Sequence, residues 1–418
     1  MIGGVLQTVR RIAVAPSALW AGFLLVHAWL AFVGLTNATL PFGDVTLVYR
    51  PWVENALQGQ VVGITEPWVY PVVALLPMLA AMVLGSQLYI VGWLMVVLVT
   101  NAAVFAYLLS RGRSGSSGNL LRVRAAWWWL VFLLLLGPVA LGRIDVMAVA
   151  FAMAGLLVAQ SRPAIAGVLL AIATWIKVWP AALVAVVIIT IRRRVGTLVA
   201  ALATGGVIGV GALLLGSGLN MFGFVTQQSG RGLQIESPVS NIWLWIAAAN
   251  PEAARVYYDR DILTFQVTGP GTEVASAWMT PLMIVAVAAV LLLGIFVVRT
   301  GAFPTHVLPA FSLAVVTALI AFNKVGSPQF VLWLAAPVVL GIVSMGNHFR
   351  LPAYLVAVLA LLTQLIYPFS YDQLLLLNPG ALLLLSMRNI LLFIIFGVAV
   401  RMLWQSRRLP RKAFVQSH

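Results

Sequence analysis

A few charged residues stand where an apolar chain has least reason to keep them. Asp44, in Pro41-Phe42-Gly43-Asp44, lies just past the first apolar run. A carboxylate at a membrane boundary can act as general base on a hydroxyl if it is ionised near neutral pH. Asp also starts helices, so capping is the alternative role. Glu54 and Glu66 share the segment and compete with it, Glu54 being expected to face water on a short helix. Arg143 and Asp145, in Gly142-Arg143-Ile144-Asp145, are expected to pair at least in part. Arg143 otherwise offers phosphate a forked guanidinium. Lys177, in Ile176-Lys177-Val178-Trp179-Pro180, has apolar flanks where an ammonium is costly without a partner. It either snorkels to the interface or awaits an anionic headgroup. Lys324 precedes Gly326-Ser327-Pro328-Gln329, where Ser327 can cap a helix, Pro328 suits its first turn and the helix N-terminus favours phosphate.

Other residues are more ambiguous. Trp68 and Tyr70 belong at the interface, either as a plain aromatic belt or as a platform for a sugar ring or headgroup. Arg231 and Arg388 are further cations on the same side, and Arg388, inside the last apolar stretch, is expected to face protein or a cavity. His27 reads as a hydrogen-bonded packing residue. With four His, no Cys and no His/Glu spacing pattern, no metal site is expected, and no cofactor is implied.

The elements that must position these residues are membrane helices. Of 418 residues, 62% are hydrophobic and 8% charged. Soluble domains carry about 25% charged residues, so this chain cannot cover a water-facing surface. That excludes a soluble enzyme, a disordered regulator and a conventional nucleic-acid binder. The apolar blocks of about 20 residues match roughly 30 Å of hydrocarbon. Spans are expected at about 14–35, 88–110, 125–141, 144–160, 196–216, 277–298, 304–321, 328–345, 351–368 and 382–404. The stretch 164–191 reads as two short helices meeting at Lys177–Pro180, because lysine and proline are costly at the centre of one membrane helix. The expected fold is therefore an all-α polytopic bundle of about twelve spans, forming one integral membrane domain over 1–418. Residues 71–85 are too short to cross and read as re-entrant or interfacial.

The net charge of +15 is then mainly topological. With Arg10 and Arg11 inside, most of the 25 cations fall inside, as the positive-inside rule requires, and all ten carboxylates fall outside. Two long external loops, about 36–87 and 217–276, are candidates for function. Gly and Ser cluster at 112–118 as a flexible cytoplasmic linker, and 405–418 forms a basic tail. Asp44, Arg143, Lys177 and Lys324 come from four distant parts of the chain, yet the expected topology puts them at one face.

The order Gly43-Asp44, Tyr49, Gly59, Tyr70-Pro71, Gly142-Arg143-Ile144-Asp145, Lys177-Val178-Trp179-Pro180 and Ser327-Pro328-Gln329-Phe330 with Trp333 resembles the GT-C membrane glycosyltransferases. Within them it is similar to the actinobacterial polyprenyl-phosphate-mannose-dependent α-mannosyltransferases, over about residues 14–404. The resemblance implies an inverting transfer of mannose from a polyprenyl-phosphate donor to a glycolipid or lipoglycan. It places the site on the extracytoplasmic side of a bacterial plasma membrane, with both termini cytoplasmic. It carries the general base onto Asp44 and a donor-phosphate contact onto Lys177. Arg143, Lys324 and Arg388 are the further phosphate candidates, and Tyr49, Trp68, Tyr70, Asp145 and Gln329 the substrate candidates. Arg143 and Asp145 stand where the family usually has Gln and Asn, a departure compatible with another sugar such as arabinose or glucose. The alternative reading is a transporter or flippase of an anionic lipid. A transporter, however, would keep its ionisable groups near the midplane.

Overall fold

A computed structural model describes residues 15–110, 117–227, 231–260 and 262–408. Twelve apolar helices stand where twelve spans are expected. They are α1 (Pro16–Thr36), α2 (Tyr89–Ser110), α3 (Ser117–Leu136), α4 (Asp145–Val158), α5 (Pro163–Ile176), α6 (Pro180–Thr190), α7 (Arg194–Leu214), α8 (Thr272–Arg299), α9 (Pro304–Ala321), α10 (Ala335–Met345), α11 (Arg350–Gln364) and α12 (Pro379–Gln405). Among the described residues, eight helical segments are long and apolar enough to cross a membrane; one of them, Pro328–Phe369, contains both α10 and α11. Proline opens α1, α5, α6, α9 and α12, where its missing N–H costs no intrahelical bond.

Burial separates inner from outer helices. The apolar stretches of α7 and α8 are only 11% and 17% buried, against 78% for α9. The inner wall is α4, α9 and α10, with α3 and α11 packed against α10 and each other. The helices that lead to the site are short. α4 and α5 have 14 residues each, α6 and α10 have 11, and α11 has 15. The peripheral α7 and α8 have 21 and 28. Gly346, at φ 54°, turns the chain between α10 and α11, a conformation that side chains other than glycine rarely adopt.

The stretch 164–191 does break as expected. Lys177 is extended, Trp179 stands just before α6 and Pro180 opens it. Residues Val72–Leu84 form a short helical segment that ends at Gly85 and packs on α2. Most of the 112–118 linker, and the tail beyond Arg408, lie outside the described residues, as do Arg10, Arg11 and Asp261. The loop between α7 and α8 adds what an all-α expectation omits. It carries a three-stranded antiparallel sheet, ordered β1 (Leu233–Gln234), β3 (Thr264–Thr268) and β2 (Arg255–Asp259). The register pairs Val267 with Leu233 on one side and with Val256 on the other. Leu233 and Val267 pack with Trp243, Leu244 and the start of α12 in a second apolar core, which fastens the loop to the bundle.

Candidate active site

The chain leaves α1, turns at Leu40 and winds through Asp44–Tyr49 directly into the helix Arg50–Leu57. Gly43 holds the position before this helical turn, so the Asp44 carboxylate caps nothing. It meets Arg143 instead, Oδ1 to Nη1 at 2.9 Å. The expected Arg143–Asp145 pair does not form. Asp145 opens α4 and points into the bundle, whereas Arg143, two residues earlier, points toward the first loop. Residues two apart at a helix start do not face each other. Arg143 also donates to the Tyr367 hydroxyl at 3.4 Å. Burial works against its charge, but Asp44 and then Tyr367 outweigh burial and raise its pKa above the ordinary value.

Asp145 is fully buried and both its oxygens are engaged. Oδ2 pairs with Lys177 Nζ at 3.4 Å, and Oδ1 accepts from Trp333 Nε1 at 2.6 Å. Trp333 stacks on Trp179, with centroids 5.1 Å apart and planes 10° from parallel. Lys177 Nζ also lies 4.4 Å from the centre of the Tyr70 ring, a cation–π contact. Burial disfavours the Lys177 ammonium, but Asp145 more than compensates and the pKa rises. The lysine therefore has the partner that its apolar flanks demand, and it stays charged. α4, the α5–α6 break and the 3-10 turn Pro328–Leu334 meet at this cluster.

Two more cations approach from the loops. The charge of Arg231, just before β1, is felt by both Lys177 and Lys324. Burial lowers the pKa of Lys324, with Arg231 adding to the effect. Burial likewise lowers that of Arg231. Three cations thus share one region, where they favour an anion. Ser327 stands at the N-cap with Pro328 following, as the spacing predicts, but its hydroxyl makes no capping bond.

Arg388 is 1% exposed. Its guanidinium donates to the Glu236 carbonyl at 2.8 Å, the Gly326 carbonyl at 3.1 Å and the Asn389 side chain at 2.8 Å. It ties the loop of the sheet to the loop before Pro328. Glu236 is buried and accepts from the Tyr371 hydroxyl at 2.8 Å. Burial raises its pKa, against the Tyr371 bond. Tyr367 and Tyr371 meet edge to face at 5.2 Å, so an aromatic step joins Glu236 to Arg143.

The remaining candidates divide. Tyr49 is buried and its hydroxyl accepts from Ile144 N at 3.1 Å, which fixes the Arg143 turn against the first loop. Trp68 is buried against Trp52 and Tyr70. Tyr70 reaches Lys177, and Gln329 is buried in the turn that carries Trp333. Glu54 pairs with Arg50 at 3.9 Å and accepts from Ser86, so it is already occupied. Tyr367 and Tyr371 escaped the sequence reading. Their one signal is that two tyrosines, one followed by proline, end an apolar helix. His27 packs between Phe23 O at 2.8 Å and Asn101 at 3.1 Å, as a packing residue should.

The site thus offers a half-open carboxylate, Asp44, beside fixed cations and a stacked aromatic wall. Such a set can take a proton from a hydroxyl and stabilise a departing anion. Comparison with curated proteins and with solved structures returns no match. The profile of glycosyltransferase family 87 matches residues 68–322, more than half of the chain, a stretch that holds Tyr70, Arg143, Asp145, Lys177, Arg231 and Glu236. The chain, a membrane-embedded helical protein, belongs to glycosyltransferase family 87.

Proposed function

We propose that this glycosyltransferase moves mannose from a polyprenyl-phosphate donor to a hydroxyl of a glycolipid or lipoglycan, with Asp44 as general base. The observation that supports the base assignment is an exposed carboxylate set beside the cations. The Asp44 side chain is 37% exposed, whereas Asp145 is 0% exposed with both oxygens bonded. Glu236 is buried under Tyr371 and Glu54 is engaged by Arg50 and Ser86. Glu54, at 38%, is as exposed as Asp44, but its charge acts on Tyr89, whereas that of Asp44 acts on Tyr70 together with those of Lys177, Asp145 and Arg143; Asp44 is the exposed carboxylate beside the cations. In the reaction the acceptor oxygen forms its bond to the anomeric carbon while the bond from that carbon to the phosphate oxygen breaks. The electron pair leaves on the phosphate, the acceptor proton goes to Asp44, and the anomeric configuration inverts. Arg143 orients Asp44. Lys177, Arg231 and Lys324 face the developing phosphate charge without having to reorganise. Tyr70 offers a face to the sugar or the prenyl chain, and the buried Trp179–Trp333 stack holds Asp145, and through it Lys177, in place. Arg388, bonded to the Glu236 and Gly326 carbonyls, keeps the two cation-bearing loops together.

A lipid carrier would use the same cations without a base, but the family assignment and the gathering of charge at the helix ends favour transfer over transport. The test is Asp44→Asn in the purified protein, with polyprenyl-phosphate-mannose and a lipid acceptor. Transfer is expected to fall by about 10²–10⁴-fold while donor affinity is retained. Transfer at the wild-type rate would remove Asp44 from the chemistry. Transfer from a different polyprenyl-phosphate sugar, with mannose inert, would overturn the donor alone.

A further inference from the structure

At the opposite ends of the inner helices lies a cavity that the transfer chemistry does not use. It has a volume of about 640 Å³ and sits between α3, α10 and α11. Its charged lining consists of Arg124 from α3 and Arg350 at the start of α11, and among the described residues no carboxylate lines it. Asn347 and Tyr354 add polar groups, and Trp128 and Ile342 form apolar walls. The sequence of elements fixes its place. α10 begins beside the Trp333 turn and ends at Met345, and α11 returns from Arg350 to Gln364, three residues before Tyr367. With 15 residues, α11 holds the cavity about 20 Å from the candidate active site.

The lining is built rather than incidental. Trp128 donates its indole N–H to the Ala353 carbonyl at 3.0 Å, which fixes α3 against α11. Arg124, on the exposed side, reaches toward the Asn347 side-chain oxygen at 3.5 Å, at the turn between α10 and α11. Tyr354 is 68% exposed and stands at the rim. Two guanidinium groups over an apolar slot, with Trp and Tyr at the edge, match an anion carried on hydrocarbon. Forked guanidinium groups favour phosphate, and the aromatic rings suit the level where headgroup meets acyl chain. Basic pockets between membrane helices hold phospholipid headgroups on the cytoplasmic side, the side to which the charge pattern assigns this end of the bundle.

We propose that this cavity binds the phosphate headgroup of an anionic glycerophospholipid from the leaflet opposite the candidate active site. The phosphate sits between Arg124 and Arg350, and the acyl chains run along Trp128 and Ile342. Free phosphate shares the headgroup chemistry but gains nothing from the apolar walls. The lipid is therefore the occupant, and it acts as a non-reacting ligand that joins α3 to the α10–α11 turn.

The experiment uses the full chain in zwitterionic detergent, titrated with phosphatidylglycerol, phosphatidylcholine or inorganic phosphate. Thermal unfolding and lipid retention in native mass spectra are the readouts. Phosphatidylglycerol is expected to raise the melting temperature and to stay bound, with little effect from the other two. The double variant Arg124→Gln/Arg350→Gln should bind phosphatidylglycerol roughly tenfold or more weakly, from the loss of two cations near the headgroup. Ala357→Phe keeps both arginines and obstructs the slot, so it should also lose retention. Equal phosphatidylglycerol binding by wild type and both variants would overturn the site. An equal shift from inorganic phosphate would overturn the lipid as its occupant. Equal retention of phosphatidylcholine would overturn charge recognition.

Discussion

Lys177 shows how one side chain can be both structural and poised. Asp145 satisfies it, Tyr70 covers it, and its side chain still keeps an exposure of 16%. On the proposed mechanism, Lys177→Ala weakens donor binding more than acceptor binding. Titrating each substrate separately against the purified variant measures this, and unchanged donor affinity would take Lys177 out of the phosphate site. Glu236 supplies a pH test. Its pKa is raised above the ordinary 4.5, so the native state holds the proton more tightly than the unfolded chain. The resulting stabilisation is complete below about pH 4.5 and is lost as pH rises through the native pKa. Glu236→Gln stays neutral and can still accept from Tyr371. The wild type should therefore lose stability relative to the variant as pH rises from 4.5 toward neutrality. Thermal melts of both proteins across that interval measure it, and parallel curves would show that Glu236 does not titrate differently on folding.

At the scale of elements, the site depends on loops pressed together. Gly326 lies against the Glu236 carbonyl and the Ser237 amide so closely that a Cβ would overlap both backbones. Arg388 bonds across the same contact. Gly326→Ala must push the loops apart, at a cost of about 1–3 kcal/mol as overpacking against rigid backbone. A lower melting temperature, together with a greater loss of transfer than of acceptor binding, is the expected result. Most of this element layer was legible in the sequence. Lysine and proline inside one apolar stretch announced the α5–α6 break, and the brevity of the apolar run 71–85 announced a short helix there. The partners were not legible. Asp145 and Arg143 are two residues apart, which invites pairing, but opening a helix with Asp145 sends the two side chains to different sides. Nor was the sheet visible: β1 has two residues, and β2 alternates little because its strand is largely exposed. Tyr367 and Tyr371 draw their roles from distant partners, Arg143 and Glu236, which no local pattern encodes.

At the scale of the whole molecule, the chain has no cysteine, so introduced thiols report topology without background. On the orientation expected from the charge pattern, a membrane-impermeant maleimide added to intact cells labels Gln60→Cys and Glu252→Cys but not Asn347→Cys. Permeabilised cells label all three. Labelling of Asn347→Cys alone in intact cells would invert the orientation. The unequal helix lengths carry a consequence of their own. The helices that lead to the site, of 11–15 residues, rise about 16–22 Å, while the hydrocarbon is roughly 30 Å thick. The longer peripheral helices can continue past them toward the far surface. Held on the shorter helices, the reacting groups can sit below the ends of their longer neighbours, so the mismatch in length sets how far an acceptor hydroxyl must reach. A sugar tethered to a lipid presents its hydroxyls at a height fixed by the anchor. On the proposed function, the fold would sort acceptors by that height before any side chain recognises them.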